Sequence, residues 1–181
     1  MKTSTTESKR QRNLEKRVEM PAKIVPITLF SKARPFFISK RLVAVSGGFD
    51  PLHPGHISNI QEAKKLGDCL VVIVNGDSFL TRKKGKPFLP LKTRMQIIAG
   101  LEGVDFVVDW NSKSDNVIGA LELVQPDIFA KGGDRTDKTN IPEWETCKRL
   151  GCEIVVGVGK DKAWSSSDFL VDWVNFFKEM D

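Results

Sequence analysis

The stretch CLVVIVN, residues 69–75, is apolar at six of its seven positions. A strand with one face in water alternates apolar and polar residues. A strand that is apolar throughout is buried on both faces, as in a parallel sheet covered by helices. LVAVSGG (42–48) is a second β-branched run and ends in glycines. Between them, HPGHISNIQEAKKLG sets Ile57, Ile60, Ala63 and Leu66 on one helical face, with Pro54 suited to the first turn and Gly67 to the stop. Strand, helix and strand make a βαβ unit with a right-handed crossover.

The alternation continues to the end of the chain. Met95, Ile97, Ile98 and Leu101 predict a helix closed by Gly103, and VDFVVDW (104–110) a strand. SDNVIGALELV (114–124) predicts a helix capped by Ser114 or Asp115, with a stripe of Val117, Ile118, Leu121 and Val124. DIFA (127–130) reads as a strand, PEWETCKRLG as a helix and CEIVVGVG (152–159) as a strand. SDFLVDWVNFFKEM is an amphipathic helix bearing Phe169, Leu170, Trp173, Val174 and Phe177. The expected fold class is α/β: a Rossmann-like, doubly wound, five-stranded parallel sheet with helices on both faces.

Charge divides the chain differently. Residues 1–41 hold 11 Lys+Arg against 3 Asp+Glu, while residues 42–181 hold 17 against 20. The overall charge of +5 therefore belongs to the leading segment. Residues 1–20 are polar and poor in core formers, which predicts disorder or a frayed helix. Residues 21–41, with PFFI among them, are expected to wrap against the domain edge. A basic extension can bind nucleic acid or an acidic surface, but this one lacks the interleaved aromatics used to stack bases. No apolar run is long enough for a bilayer, and no signal peptide is expected. Three cysteines without a CxxC pair point to a reducing compartment, and a cytoplasmic location is the expectation.

In open α/β sheets, ligands bind beyond the carboxyl ends of the strands. Three polar motifs fall there: SGGFDPLHPGH (46–56), KGGD (131–134) and WSSS (164–167). Gly47 and Gly48 admit close approach of backbone to a ligand. His53 and His56, the only histidines, sit at the start of a helix whose N–H groups and dipole favour phosphate, and Gly55 between them leaves room for a nucleotide. Imidazoles in that position donate hydrogen bonds to phosphoryl oxygens as charge develops. A zinc pair would need a third ligand, and the scattered cysteines offer none.

SGGFDPLHPGH resembles the HxGH signature of the cytidylyltransferase-like nucleotidyltransferase superfamily, and class I aminoacyl-tRNA synthetases carry a related motif. PFLPLKTRMQIIAGLEGVDFVVDW, DIFAKGGD and the late SSS extend the resemblance to heptose 1-phosphate adenylyltransferases, the adenylyltransferase domain of ADP-heptose synthases. They resemble glycerol-3-phosphate cytidylyltransferases more loosely. The resemblance runs from Leu42 to Leu170. It divides the chain into a basic extension (1–41) and a nucleotidyltransferase domain (42–181).

The resemblance implies roles residue by residue. Ser46, Gly48 and Phe49 shape the phosphate loop, and Asp50 is structural or concerned with the metal. His53 and His56 contact the triphosphate. Lys83, chosen from the 82–84 cluster, neutralises phosphates or holds the sugar phosphate, and Arg94 takes the place of a family arginine; with His53 and His56 these two are the expected catalytic residues. Lys131, Gly132, Gly133 and Asp134 border base and ribose, and Ser165, Ser166 and Ser167 bind phosphates. The implied reaction joins a nucleoside monophosphate from ATP or CTP to a sugar or polyol phosphate, with Mg²⁺ as cofactor, no protein-held metal and pyrophosphate as leaving group. Relatives form dimers, which makes a homodimer one expected partner. A non-catalytic nucleotide-binding module tethered to nucleic acid by residues 1–41 is the reading from another class. Trp164 and Arg135 depart from the heptose pattern, which has a small residue and a tyrosine there.

Overall fold

The computed structural model describes residues 23–132, 141–160 and 165–180. Six parallel strands form one sheet in the order β1-β4-β3-β2-β5-β6. They are β1 (Lys23–Ile24), β2 (Leu42–Gly47), β3 (Cys69–Asn75), β4 (Phe106–Trp110), β5 (Ile128–Gly132) and β6 (Glu153–Val158). The helices are α1 (Ile27–Ala33), α2 (Pro54–Lys64), α3 (Asp77–Lys84), α4 (Leu91–Ala99), α5 (Ile118–Val124), α6 (Trp144–Leu150) and α7 (Ser166–Lys178). The five strands expected from sequence are present. The two-residue strand β1 adds a sixth, at the edge beside β4.

Strand chemistry explains the two layers. Along β2 and β3, Leu42, Ala44, Cys69, Val71 and Ile73 enter one core with α1, α5 and α6. Val43, Val45, Leu70, Val72 and Val74 enter the other with α2 and α4. Period-two alternation in runs that are apolar at every position buries both faces, so helices must cover both. Cys69 lies in this packing, and burial pushes its thiol up to about 12, which keeps it protonated and unreactive at neutral pH.

The segment before Leu42 is docked onto this body from Lys23 onward. Phe30 is 1% exposed in the first core, and its ring meets Phe37 and Phe106 at 5.8 and 5.3 Å. Arg34 donates to the Gln125 carbonyl at 2.8 Å and pairs with Asp127 at 3.3 Å. The boundary expected at residue 42 therefore separates elements that share one core. The first 22 residues lie outside the described residues.

Local readings differ at two places. The helix expected over 114–124 begins only at Ile118. Its first free N–H, that of Ile118, is accepted by Asn116 Oδ1 at 3.2 Å. Neither Ser114 nor Asp115 caps it, because Asp115 is drawn out to Arg82 (2.9 Å) and Arg82 also holds the Ser112 and Ser114 carbonyls. The helix containing Met95 stops at Gly100, and Gly103 instead occupies a turn at φ +87°. The basic residues 82–84 end helix α3.

The chain leaves β2 toward β3 on one side, then returns from β4 to β5 on the other. The loop after β2 thus stands at the point where strand order reverses, where a doubly wound sheet opens its binding crevice.

Candidate active site

The loop Gly48–His53 is shaped by its own side chains. Phe49 takes φ +51°, a left-handed conformation that non-glycine residues adopt mainly where the surroundings enforce it. Its ring folds back beneath Gly47, where an added Cβ would stand 3.0 Å from Phe49 Cζ. The same ring meets His56 edge-on at 5.1 Å. Gly47 thereby makes space for the aromatic platform that supports the second histidine.

His53 caps α2 and His56 is its third residue. The imidazoles stack at 3.7 Å between centroids, and the His53 backbone N–H donates to His56 Nδ1 at 3.4 Å. That acceptor role puts the proton of a neutral His56 ring on Nε2. Gly55 serves the pair directly, since a Cβ there would lie 3.1 Å from two atoms of the His53 ring. The pair and the positive amino end of α2 face one cavity.

That cavity has a volume of about 540 Å³, and most of the sequence-predicted residues line it. Ser46, Gly48, Phe49, Asp50, His53, Gly55 and His56 come from the β2–α2 connection, and Lys83 from α3. Lys131 and Gly132 come from the end of β5, and Ser165, Ser166 and Ser167 from the start of α7. Gly133, Asp134, Arg135 and Trp164 lie outside the described residues.

Asp50 is 2% exposed and both its carboxylate oxygens are taken. They accept the Phe88 and Leu89 backbone N–H groups, each at 2.7 Å, and Lys84 Nζ stands at 2.8 Å. Of the two roles left open by sequence, this geometry serves the structural one: Asp50 ties the loop after β2 to the segment before α4. Its partner Lys84 is thereby committed. Lys83 is the exposed neighbour, with Nζ 5.9 Å from the Phe79 ring centroid. The last serines are partly committed as well. Ser165 Oγ accepts the Asp168 N–H at 3.2 Å, and Ser166 Oγ donates to the Pro51 carbonyl at 2.9 Å, locking α7 to the HxGH loop.

Arg94 does not line the cavity. It is 0% exposed, and its guanidinium donates to the carbonyls of Leu89 (2.9 Å), Gly48 (2.7 Å) and Asn75 (2.7 Å) and to Asp77 Oδ1 (2.7 Å). It stands beneath the site and joins the ends of β2 and β3 to α3. Its donors are spent on these acceptors, so the geometry gives it a positioning role where the resemblance implied a catalytic one.

Sequence reasoning did not single out Asn75 or Glu143, which also line the cavity. Asn75 closes β3, and Glu143, 4% exposed, precedes α6. Glu143 Oε1 accepts the Val117 N–H at 3.3 Å, and Oε2 faces Lys131 Nζ at 3.3 Å. Position at a strand end was a usable signal for Asn75. For Glu143 there was none, because its partners are 26 and 12 residues away in sequence. Among the described residues, no group of three or more His, Cys, Asp or Glu is placed to hold a metal ion.

The sequence matches the family model for cytidylyltransferase-like domains over residues 44–172. It is 41% identical over 117 residues to the bifunctional protein HldE of Hahella chejuensis, covering 64% of this chain and 24% of that one. It is 38% identical over 115 residues to HldE of Pasteurella multocida, covering 62% and 23%. The chain thus spans about a quarter of the length of these curated relatives. Among solved structures, a lipopolysaccharide core biosynthesis protein from Thermoplasma volcanium aligns over 67% of this chain and 99% of its own, with 31% identity and a TM-score of 0.58. The pantoate-beta-alanine ligase of Francisella tularensis shares the fold at 19% identity and TM-score 0.58, covering 82% and 73%. A match of this extent, which takes in the histidine pair at the sheet's switch point, means that the chain belongs to the cytidylyltransferase-like family of nucleotidyltransferases.

Proposed function

We propose that this protein transfers a nucleoside monophosphate from ATP to a sugar phosphate, as a heptose 1-phosphate adenylyltransferase does. A phosphate oxygen of the acceptor attacks the α-phosphorus of the nucleotide. One phosphorus–oxygen bond forms, the bond to the bridging α–β oxygen breaks, and pyrophosphate leaves with that electron pair. No protein nucleophile is required. The stacked His53–His56 pair at the amino end of α2 carries this reading. It offers ring donors to the phosphoryl oxygens as charge builds, and preorganised donors of this kind dominate such catalysis. Lys83 supplies positive charge on the cavity wall.

Mg²⁺ enters as part of the nucleotide substrate. The described residues offer no acidic cage for a resident ion, and Asp50 is occupied by amides and Lys84. A Mg²⁺–triphosphate needs no such cage, because the phosphates and water supply most of its ligands.

The test is a panel of nucleoside triphosphates against sugar and polyol phosphates, with pyrophosphate release as the readout. We expect turnover with ATP and a sugar 1-phosphate. Turnover confined to CTP with glycerol 3-phosphate would select the cytidylyltransferase alternative, and none with any pair would leave a nucleotide-binding module.

The proposal places the protein in the cytoplasm, on the three buried free cysteines; no helix of the described residues is long and apolar enough to cross a membrane. It includes a homodimer. None of the residues of α7 is buried, and Trp173, Phe176 and Phe177 form an exposed aromatic cluster with centroids 5.3 to 5.7 Å apart. A contiguous apolar face of this kind marks an interaction surface. Sedimentation should give a dimer for the wild type and a monomer for Trp173→Asp; a monomeric wild type removes the dimer from the proposal.

A further inference from the structure

Phe36 and Ile38 are the most exposed large hydrophobic side chains among the described residues, at 85% and 86%. They stand on and just after the tight turn Arg34–Phe37, between α1 and β2. This turn is firmly built. Phe37 packs inward on Phe30 and Phe106, with ring centroids 5.8 and 5.3 Å away, and Arg34 is pinned to Gln125 and Asp127. The Ile38 N–H donates to the Pro35 carbonyl at 3.4 Å, and the Lys40 N–H to that of Phe37 at 2.9 Å. Arg34 and Phe37 anchor the segment in the body while Phe36 and Ile38 are held out in water. Apolar residues scattered singly over a surface need no explanation, but two neighbours held out on one built turn mark a contact surface.

Charge says what covers it. Residues 23–41 contain five Lys+Arg and no Asp or Glu. Residues 1–22 add six against three, so the leading segment carries a net +8 while residues 42–181 carry −3. The carboxylates that meet the turn are engaged by its arginines: Asp127 by Arg34, and Asp68 and Glu153 by Arg41. Lys32 and Lys40 are not among their partners, and both are exposed beside the apolar pair. An apolar pair flanked by cations complements a surface that is anionic outside and apolar beneath, which is a bilayer with acidic headgroups. A nucleic acid would use the charge but not Ile38, an aliphatic side chain that offers no ring for bases to stack on. A second copy would set like charge against like, because a twofold contact brings the same patch to both sides.

We propose that the segment from Lys32 to Arg41 docks the protein peripherally on a membrane containing anionic lipid, with Phe36 and Ile38 entering the headgroup region and Lys32 and Lys40 against lipid phosphates. The fold sets the orientation. This segment leads into the amino end of β2, whereas the cavity opens at the carboxyl end, about 20 Å away along a six-residue strand. Docking therefore leaves the cavity open to the aqueous phase. The inference does not depend on the nucleotidyltransfer reading.

The test is co-sedimentation of the full chain with vesicles of phosphatidylcholine alone and of phosphatidylcholine mixed with phosphatidylglycerol. Wild type should bind the mixed vesicles, leave them at high salt and ignore the neutral ones. Phe36→Ser combined with Ile38→Ser should weaken binding about tenfold or more, since two apolar side chains no longer leave water. Lys32→Glu combined with Lys40→Glu should weaken it by about tenfold or more as well. All four side chains are exposed, so the Tm of both variants should match wild type. Absence of wild-type binding to the mixed vesicles overturns the inference. Full binding by the Phe36→Ser, Ile38→Ser variant does so too, and loss of binding in Trp173→Asp would then move the contact to α7. Wild type that is retained by single-stranded RNA but not by vesicles would assign the basic segment to nucleic acid and overturn it equally.

Discussion

Replacing His56 with alanine is expected to leave the fold intact and to cut turnover about 100- to 1000-fold, the usual effect of removing one preorganised donor to a developing charge. The ring lies at the third position of α2, stacked on His53 and edge-on to Phe49, and contributes to neither apolar core. Its loss removes two ring contacts and the long bond from the His53 N–H, so thermal stability should fall by no more than about 1 kcal/mol. Circular dichroism establishes the fold and single-turnover pyrophosphate release the chemistry. Full activity in a folded His56→Ala protein would remove the histidine pair from the mechanism and with it the proposed reaction.

Arg94→Ala should behave in the opposite manner, as a stability lesion first. The guanidinium satisfies three backbone carbonyls from three separate segments at 2.7 to 2.9 Å, in a fully buried place. Removing one partner of a buried charged network costs about 3–5 kcal/mol, which for a domain of this size is a Tm lower by about 10 °C. The Asp77 contact adds little, since that carboxylate is 45% exposed and screened. Arg94→Lys should recover only part of the loss, because an ammonium cannot reproduce a planar fork that spans three acceptors. Activity and Tm should fall together across the two variants. Lost turnover at an unchanged Tm would instead return Arg94 to direct contact with the substrate.

Much of this molecule was legible in the chain because it depends on local periodicity. Apolar runs such as Cys69–Asn75 could only be strands buried on both faces, and the βαβ rhythm placed the polar motifs at strand ends. The HxGH stretch located the cavity because the histidines, Gly55 and the helix start are neighbours in sequence. Short-range reading failed where a distant partner intervened. Arg82 took Asp115 away from its expected cap, and Glu143 gained its place only when β5 brought Lys131 alongside and α5 presented Val117. Strand β1 has two residues and no periodicity to read; its pairing with β4 accompanies the burial of Ile27 and Phe30.

The sequence by itself determined the class of fold, the position of the glycine-rich loop after β2 and the identity of the histidine pair. Each of these follows from residues within a few positions of one another. Only the tertiary structure decided which charged groups face the cavity and which hold it up. Lys83 and Lys84 are adjacent, yet Asp50 claims Lys84, and Arg94 is spent on three carbonyls beneath the site. Such commitments are made by buried acceptors that must be satisfied, and those acceptors come together only when the strands carrying them pack side by side.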